Sequence, residues 1–187
     1  MIINQSFSLF IISLFYNLSS KKLLYPYNYH FLLHNKNGDF MTEAEEIDIL
    51  QEMYKHCEIC YYCTSKILNN IKGTKSKFKS ILYKEKKNYK DLKYEITDIL
   101  DDYDVAPEKV GFLTKLSCGI EINMKISEDD IKIASSIIIN KIKETLNEIA
   151  NKDKILEDLD SNVLSLYQKF TTFQKEELKK LEKYIKF

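Results

Sequence analysis

Four residues of one segment have types and spacing suited to metal or redox chemistry: His56, Cys57, Cys60 and Cys63. Cys-x-x-Cys-x-x-Cys is a spacing used by iron–sulfur ligand runs, but those runs lie in loops. This one falls inside a long helical pattern. At about 100° per residue, His56, Cys60 and Cys63 share one helix face, and Cys57 points further round into an apolar seam. Three such ligands could hold a soft metal such as zinc. Packing is the favoured role, because small free cysteines fill helix–helix contacts in a reducing compartment. Cys118 stands alone as a core residue unless the chain brings it near Cys57. Two carboxylates offer a second centre. Glu58 lies midway along the first helical segment and Glu85 on the seam of the second, within about one turn of the same level when counted from the turn at Gly73. A buried, unpaired carboxylate is costly, so a seam glutamate paired with a Tyr or Lys is the favoured reading of Glu85. The sequence has no Gly-rich phosphate loop. After Met41, no Ser-His-Asp set can be assembled without His56.

The elements that must carry these residues are helices. From Ile47 to Ile71 the positions Ile47, Leu50, Tyr54, Cys57, Tyr61, Thr64, Leu68 and Ile71 alternate steps of three and four. That is the seam of a long helix facing a core. Thr42 is placed to cap it, with Glu45 completing a capping box, and Gly73 to end it. A second helix is predicted over 75–103, with a seam of Phe78, Leu82, Glu85, Tyr89, Leu92, Ile96, Ile99 and Tyr103, stopping before Pro107. Residues 110–126 fit two patterns. Cys118, Ile120, Ile122, Met124 and Ile126 alternate as a strand would, and Phe112, Leu113, Leu116, Ile120 and Met124 fit a helix. A lone strand has nothing to pair with, so a short crossing helix is expected. A third long helix should start at Ser127, with Asp130 in its capping box and a seam of Ile131, Ser135, Ile138, Ile142, Thr145 and Ile149. The fourth is expected over 155–185, with Ile155, Leu159, Val163, Leu166, Phe170, Phe173, Leu181 and Tyr184 facing in. Tight turns after the first and third helices make those pairs antiparallel neighbours.

Four long helices paired by short turns, with a longer joint between the pairs, resemble the ferritin-like superfamily. The stretch 128–185, with its Ile-rich third helix and the run from Phe170 to Leu181, is similar to a small uncharacterised clostridial-type branch of such proteins. The likeness covers residues 44–185. It implies an all-α, antiparallel four-helix bundle with a short crossing helix between helices two and three. Ferritin-like carboxylate enzymes place a Glu on each of two helices and a Glu-x-x-His on each of the other two. Here position 88, three after Glu85, is Asn, and the fourth helix has no His. The pattern fails, so no di-iron centre and no cofactor is expected. The expected role is non-catalytic, by self-association or by binding another helical protein. The alternative is a metal-binding or redox protein, with zinc or iron on the His56/Cys60/Cys63 face or on a degenerate Glu58/Glu85 site.

Composition sets the remaining bounds. The 187 residues have a formal net charge of zero, with 30% charged and 44% hydrophobic, as in a globular domain. All 28 basic residues are Lys. Arg forks read phosphates and base edges, so no nucleic-acid partner is expected. Residues 1–40 differ from the rest. Residues 1–20 carry no charge and many apolar side chains, ending at Lys21 and Lys22. A membrane anchor, an export signal and upstream DNA translated from a mis-assigned start compete for this segment. The last is preferred, because Met41-Thr-Glu-Ala-Glu-Glu reads as a start, and Gly38-Asp39 is encoded by purine-rich codons just upstream. Residues 41–187 hold 25 Lys against 27 acidic residues. The expectation is a cytoplasmic bundle over 41–187, tethered to a membrane and facing the cytoplasm only if the first 40 residues are made.

Overall fold

A computed structural model describes residues 43–71, 77–126, 130–150 and 159–185. Among these residues there are five helices and no strand, so the fold is all-α: α1 (Glu43–Asn70), α2 (Lys77–Asp102), α3 (Phe112–Lys125), α4 (Ile131–Ala150) and α5 (Ser161–Glu182). The expectations for residues 1–40, for caps at Thr42 and Ser127, and for Ile155 lie outside the described residues.

The first helix organises the others. Its anticipated seam is largely buried, at Leu50, Tyr54, Cys57, Thr64, Leu68 and Ile71. A second seam, Ile49, Met53, His56, Cys60, Cys63 and Ile67, is buried beside it at the same alternating spacing. Two adjacent buried stripes mean neighbours on more than one side, and α1 packs against each of the other four helices. On α2 the buried positions are Phe78, Leu82, Glu85, Tyr89, Leu92, Ile96 and Leu100. The closest pairings are α1 with α2 and α4 with α5, and α2 also meets α5.

Helix ends follow local chemistry. After α2, the Val105 N–H donates to Leu100 O and the Asp104 N–H to Asp101 O. Asp104 sits at φ 54°, a left-handed position usually given to Gly. The reversal is therefore complete before Pro107 is reached. Helix α4 begins at Ile131, and Asp130 itself caps it, its carboxylate accepting from the Ile133 N–H at 3.1 Å. Asp160 caps α5 in the same way through the Asn162 N–H, at 2.8 Å.

Three polar side chains buried on α1 hold the connections in place. Gln51 donates to Ala106 O at 3.0 Å and accepts from the Glu108 N–H at 2.6 Å. Glu58 accepts from the Val110 N–H at 2.5 Å and from Lys115 Nζ at 2.9 Å. Glu46 accepts from the Asp160 N–H at 2.5 Å and the Tyr103 hydroxyl at 2.6 Å. Buried backbone donors need acceptors, and α1 supplies them to the segments that enter α3 and α5.

The crossing segment is helical, but its orientation differs from the apolar pattern. It buries Cys118, Gly119 and Ile122, while Phe112, Leu113, Leu116, Ile120 and Met124 face outward. Long-range ties set this rotation. Lys115 reaches Glu58, and Cys118 forms a disulfide with Cys63 across a Cα–Cα distance of 6.7 Å. Gly119 lies against Tyr62, whose hydroxyl would stand 2.9 Å from an added Cβ.

Candidate functional site

The second seam of α1 carries His56 into the interior, between α4 and α5. Its Nε2 is 3.1 Å from Gln174 Oε1, and its Nδ1 bonds the Thr145 hydroxyl. With Gln174 presenting its carbonyl oxygen, Nε2 carries the ring proton and Nδ1 accepts from Thr145. The Cys60 sulfur lies 3.4 Å from Nε2. Phe170 and Tyr89 meet the imidazole edge-on, at centroid distances of 5.6 and 6.1 Å. Burial lowers the imidazole pKa to about 4, against the Gln174 hydrogen bond and with help from the nearby Lys141 charge. The ring is therefore neutral near pH 7.

One layer away, α2 and α5 bring two carboxyl groups together. Glu85 is 2% exposed and Glu177 0%. The Tyr89 hydroxyl donates to Glu177 Oε2. No backbone or other side-chain donor reaches Glu85 Oε1, Glu85 Oε2 or Glu177 Oε1. Only a carboxyl proton can bridge the pair, since two buried like charges cannot both persist. Burial raises Glu85 to about 7, with a hydrogen bond from Glu177 and the Lys180 charge acting against it. Glu177 is raised well above the usual range by burial and by the charge of Glu85, so the pair holds a proton between them rather than two charges. Burial, and then the negative charge that the carboxyl pair carries, raises both the Cys57 and Cys60 thiols. Those thiols stay protonated, and a thiol in that state is a poor nucleophile and a poor metal ligand.

The sequence-predicted candidates are split between separate places. His56 and Cys60 meet, but Cys63 is turned to α3 and bonded to Cys118. Cys118, expected to stand alone in the core unless brought near Cys57, is bonded to Cys63 instead. Glu58 faces Lys115 at 2.9 Å and Lys93 at 3.8 Å. Burial would raise its pKa, but the Val110 N–H and the two lysines outweigh that and lower it. Glu85 turns to Glu177. A zinc site on His56, Cys60 and Cys63 loses Cys63 to the disulfide, and an iron site on Glu58 and Glu85 loses Glu58 to its lysines. Among the described residues, no group of three or more His, Cys, Asp or Glu could hold a metal ion.

Gln174, Glu177 and Thr145 complete the interior centre, and sequence reasoning gave the first two no role. A signal was present on α5. The buried positions Val163, Leu166, Phe170, Gln174, Glu177 and Leu181 continue the three-and-four spacing without a break. A reading restricted to apolar residues jumps from Phe173 to Leu181 and misses both.

Two surface features remain. A cleft of about 670 Å³ runs beside His56, lined by Lys55, Val110, Thr114, Lys141, Thr145 and Glu148 among others. Its charges are mixed, and Lys55–Glu108 and Lys141–Glu144 pair across or along it. The second is the outer face of α3, where Phe112 is 76% and Met124 81% exposed, with Leu113, Leu116 and Ile120 between them. No described helix is long and apolar enough to cross a membrane. Compared with known proteins, the chain matches no family model and no curated protein.

Proposed function

We propose that this protein is a non-catalytic helical interaction module, a ferritin-like four-helix bundle of α1, α2, α4 and α5 crossed by α3, and that it docks through the outer face of α3. The observation that carries this reading is the exposed apolar stripe Phe112, Leu113, Leu116, Ile120 and Met124. Single exposed apolar residues are ordinary, whereas a contiguous set on one helix face marks a contact surface. Close pairing of α1 with α2 and of α4 with α5 supports the bundle arrangement. The interior centre supports a structural role. Its imidazole has both nitrogens engaged, its thiols are held protonated, and its carboxyl pair faces Tyr89. The metal-binding alternative draws no support from His56, Cys60, Cys63, Glu58 or Glu85 as placed.

A photoreactive residue tests the docking face in cells. Placed at Leu116, it should capture a protein partner far more often than one placed at Tyr83, an isolated exposed aromatic on α2. Equal capture at the two positions would overturn the reading.

A further inference from the structure

The occupant of the α3 face can be identified from the face itself. We infer that it is a second copy of this chain, packed α3 against α3 and antiparallel about a two-fold axis near Cys118. This inference rests on the docking face described above. An isologous contact must be complementary to itself, each residue meeting its counterpart under the two-fold. In an antiparallel pair centred on position 118, residues whose numbers sum to 236 share a level. Phe112 then meets Met124 of the other copy, and Leu116 meets Ile120. The two most exposed apolar side chains of the helix, at 76% and 81%, stand at opposite ends and cover one another in this arrangement. A methionine sulfur at an aromatic ring is a favourable contact. The stripe steps through 113, 116, 120 and 124 by three and four, the spacing that seats one helix against another.

Charge agrees with this choice. The stripe and its flanks are uncharged at Phe112, Leu113, Thr114, Leu116, Ser117, Ile120, Asn123 and Met124, and the two charged side chains that reach solvent beyond them, Glu121 and Lys125, pair with each other. Two copies of an uncharged face meet without repulsion, while an acidic or basic partner gains nothing from it. An anionic membrane would be met by a basic rim. Here the lysines are engaged, Lys115 by Glu58 and Lys125 by Glu121 at 2.8 Å. Helix α3 has 14 residues, a length of about 21 Å. The contact is therefore at the small end of specific interfaces, and a dimer of roughly micromolar strength is expected.

Sedimentation equilibrium of the full chain, up to about 100 µM, is the test. The wild type should dimerise. The double variants L116K/I120K and L116E/I120E should each self-associate at least about a hundredfold more weakly, because like charges meet across the axis. Both should keep the wild-type helical circular dichroism, since the altered side chains already face solvent. Mixing the two variants should restore a dimer containing one copy of each, because position 116 of one faces position 120 of the other. Restored pairing in the mixture supports contact through this face, and dimerisation of L116K/I120E by itself, which sets opposite charges together only in an antiparallel pair, supports the two-fold specifically. A monomeric wild type, or variants that associate like the wild type, overturns the second copy as occupant. Vesicle flotation of the same proteins then separates the two levels of the argument. A monomer that floats with lipid and loses this in L116E/I120E keeps the docking face but gives it a membrane as occupant. A monomer that binds nothing through α3 overturns the docking face as well.

Discussion

The Glu85–Glu177 pair should make this protein lose stability as pH rises through neutrality. Glu85 has an ordinary pKa of 4.5, raised in the folded state to about 7. A raised carboxyl binds its proton more tightly folded than unfolded. Its contribution is therefore fully present below the unfolded value and is lost as pH climbs through the folded one. The gap of 2.5 units, at 1.36 kcal/mol each, corresponds to roughly 3 kcal/mol. Glu177 acts in the same direction. His56 acts in the opposite direction: its pKa falls from 6.5 to about 4, so its contribution grows as pH rises between those values. His56 offsets Glu85 from pH 4.5 to 6.5, so the decline there is the one Glu177 adds, and above pH 6.5 the carboxyl pair acts unopposed.

Glu85→Gln isolates the carboxyl contribution. An amide can donate to Glu177 and never ionises, so the variant should lack Glu85's share of the decline. Urea unfolding of both proteins at half-unit steps from pH 4.5 to 8 is the assay. The stability difference, variant minus wild type, should grow by roughly 3 kcal/mol across that window. In a chain of 187 residues that is a gain of roughly 6–12 °C in Tm near pH 8. Glu177→Gln should reproduce the trend, because removing either charge removes the conflict. A difference that stays constant with pH in both variants would refute the shared proton and with it the placement of α2 against α5.

The acid limb belongs to His56: its imidazole proton resonances should show no titration above about pH 5, and a midpoint near 6.5 would mean the ring is solvated rather than held by Gln174 and Thr145. Glu58→Gln should cost about 1.5–3 kcal/mol in a denaturant melt, as expected for hydrogen bonds to a charged group, and should open the 105–111 connection to protease. An unchanged melt would show that Val110 and Lys115 do not depend on this carboxylate. Without reductant, denatured protein should titrate two thiols out of four cysteines. Cys63→Ser should cost roughly 4 kcal/mol under the same conditions, from a bridge closing a separation of 55 residues, and four titratable thiols in oxidised wild type would refute the bridge.

What the sequence makes legible here is apolar periodicity, and what it hides are the polar residues that occupy the same positions. The seams of α1 and α2 are readable because Leu50, Leu68, Phe78, Leu82 and Ile96 outnumber their polar neighbours. The second stripe of α1 escapes notice because His56 and three cysteines stand in it or beside it and suggest chemistry before packing. Glu177 and Gln174 escape for the opposite reason, since Gln and Glu at a seam read as gaps. Periodicity also fails on α3, where Phe112, Leu116 and Ile120 keep perfect helical spacing and yet face outward. Spacing defines a stripe but not the side on which its partner lies. For α3 that side is fixed by Glu58 and Cys63, more than fifty residues earlier in the chain. These polar and sulfur ties are long-range and specific, while apolar burial is nearly indifferent to rotation of a short helix. A helix so rotated leaves its apolar stripe in solvent, where a covering partner would take that surface out of water. The ties that orient α3 therefore also create the surface through which the protein is proposed to act.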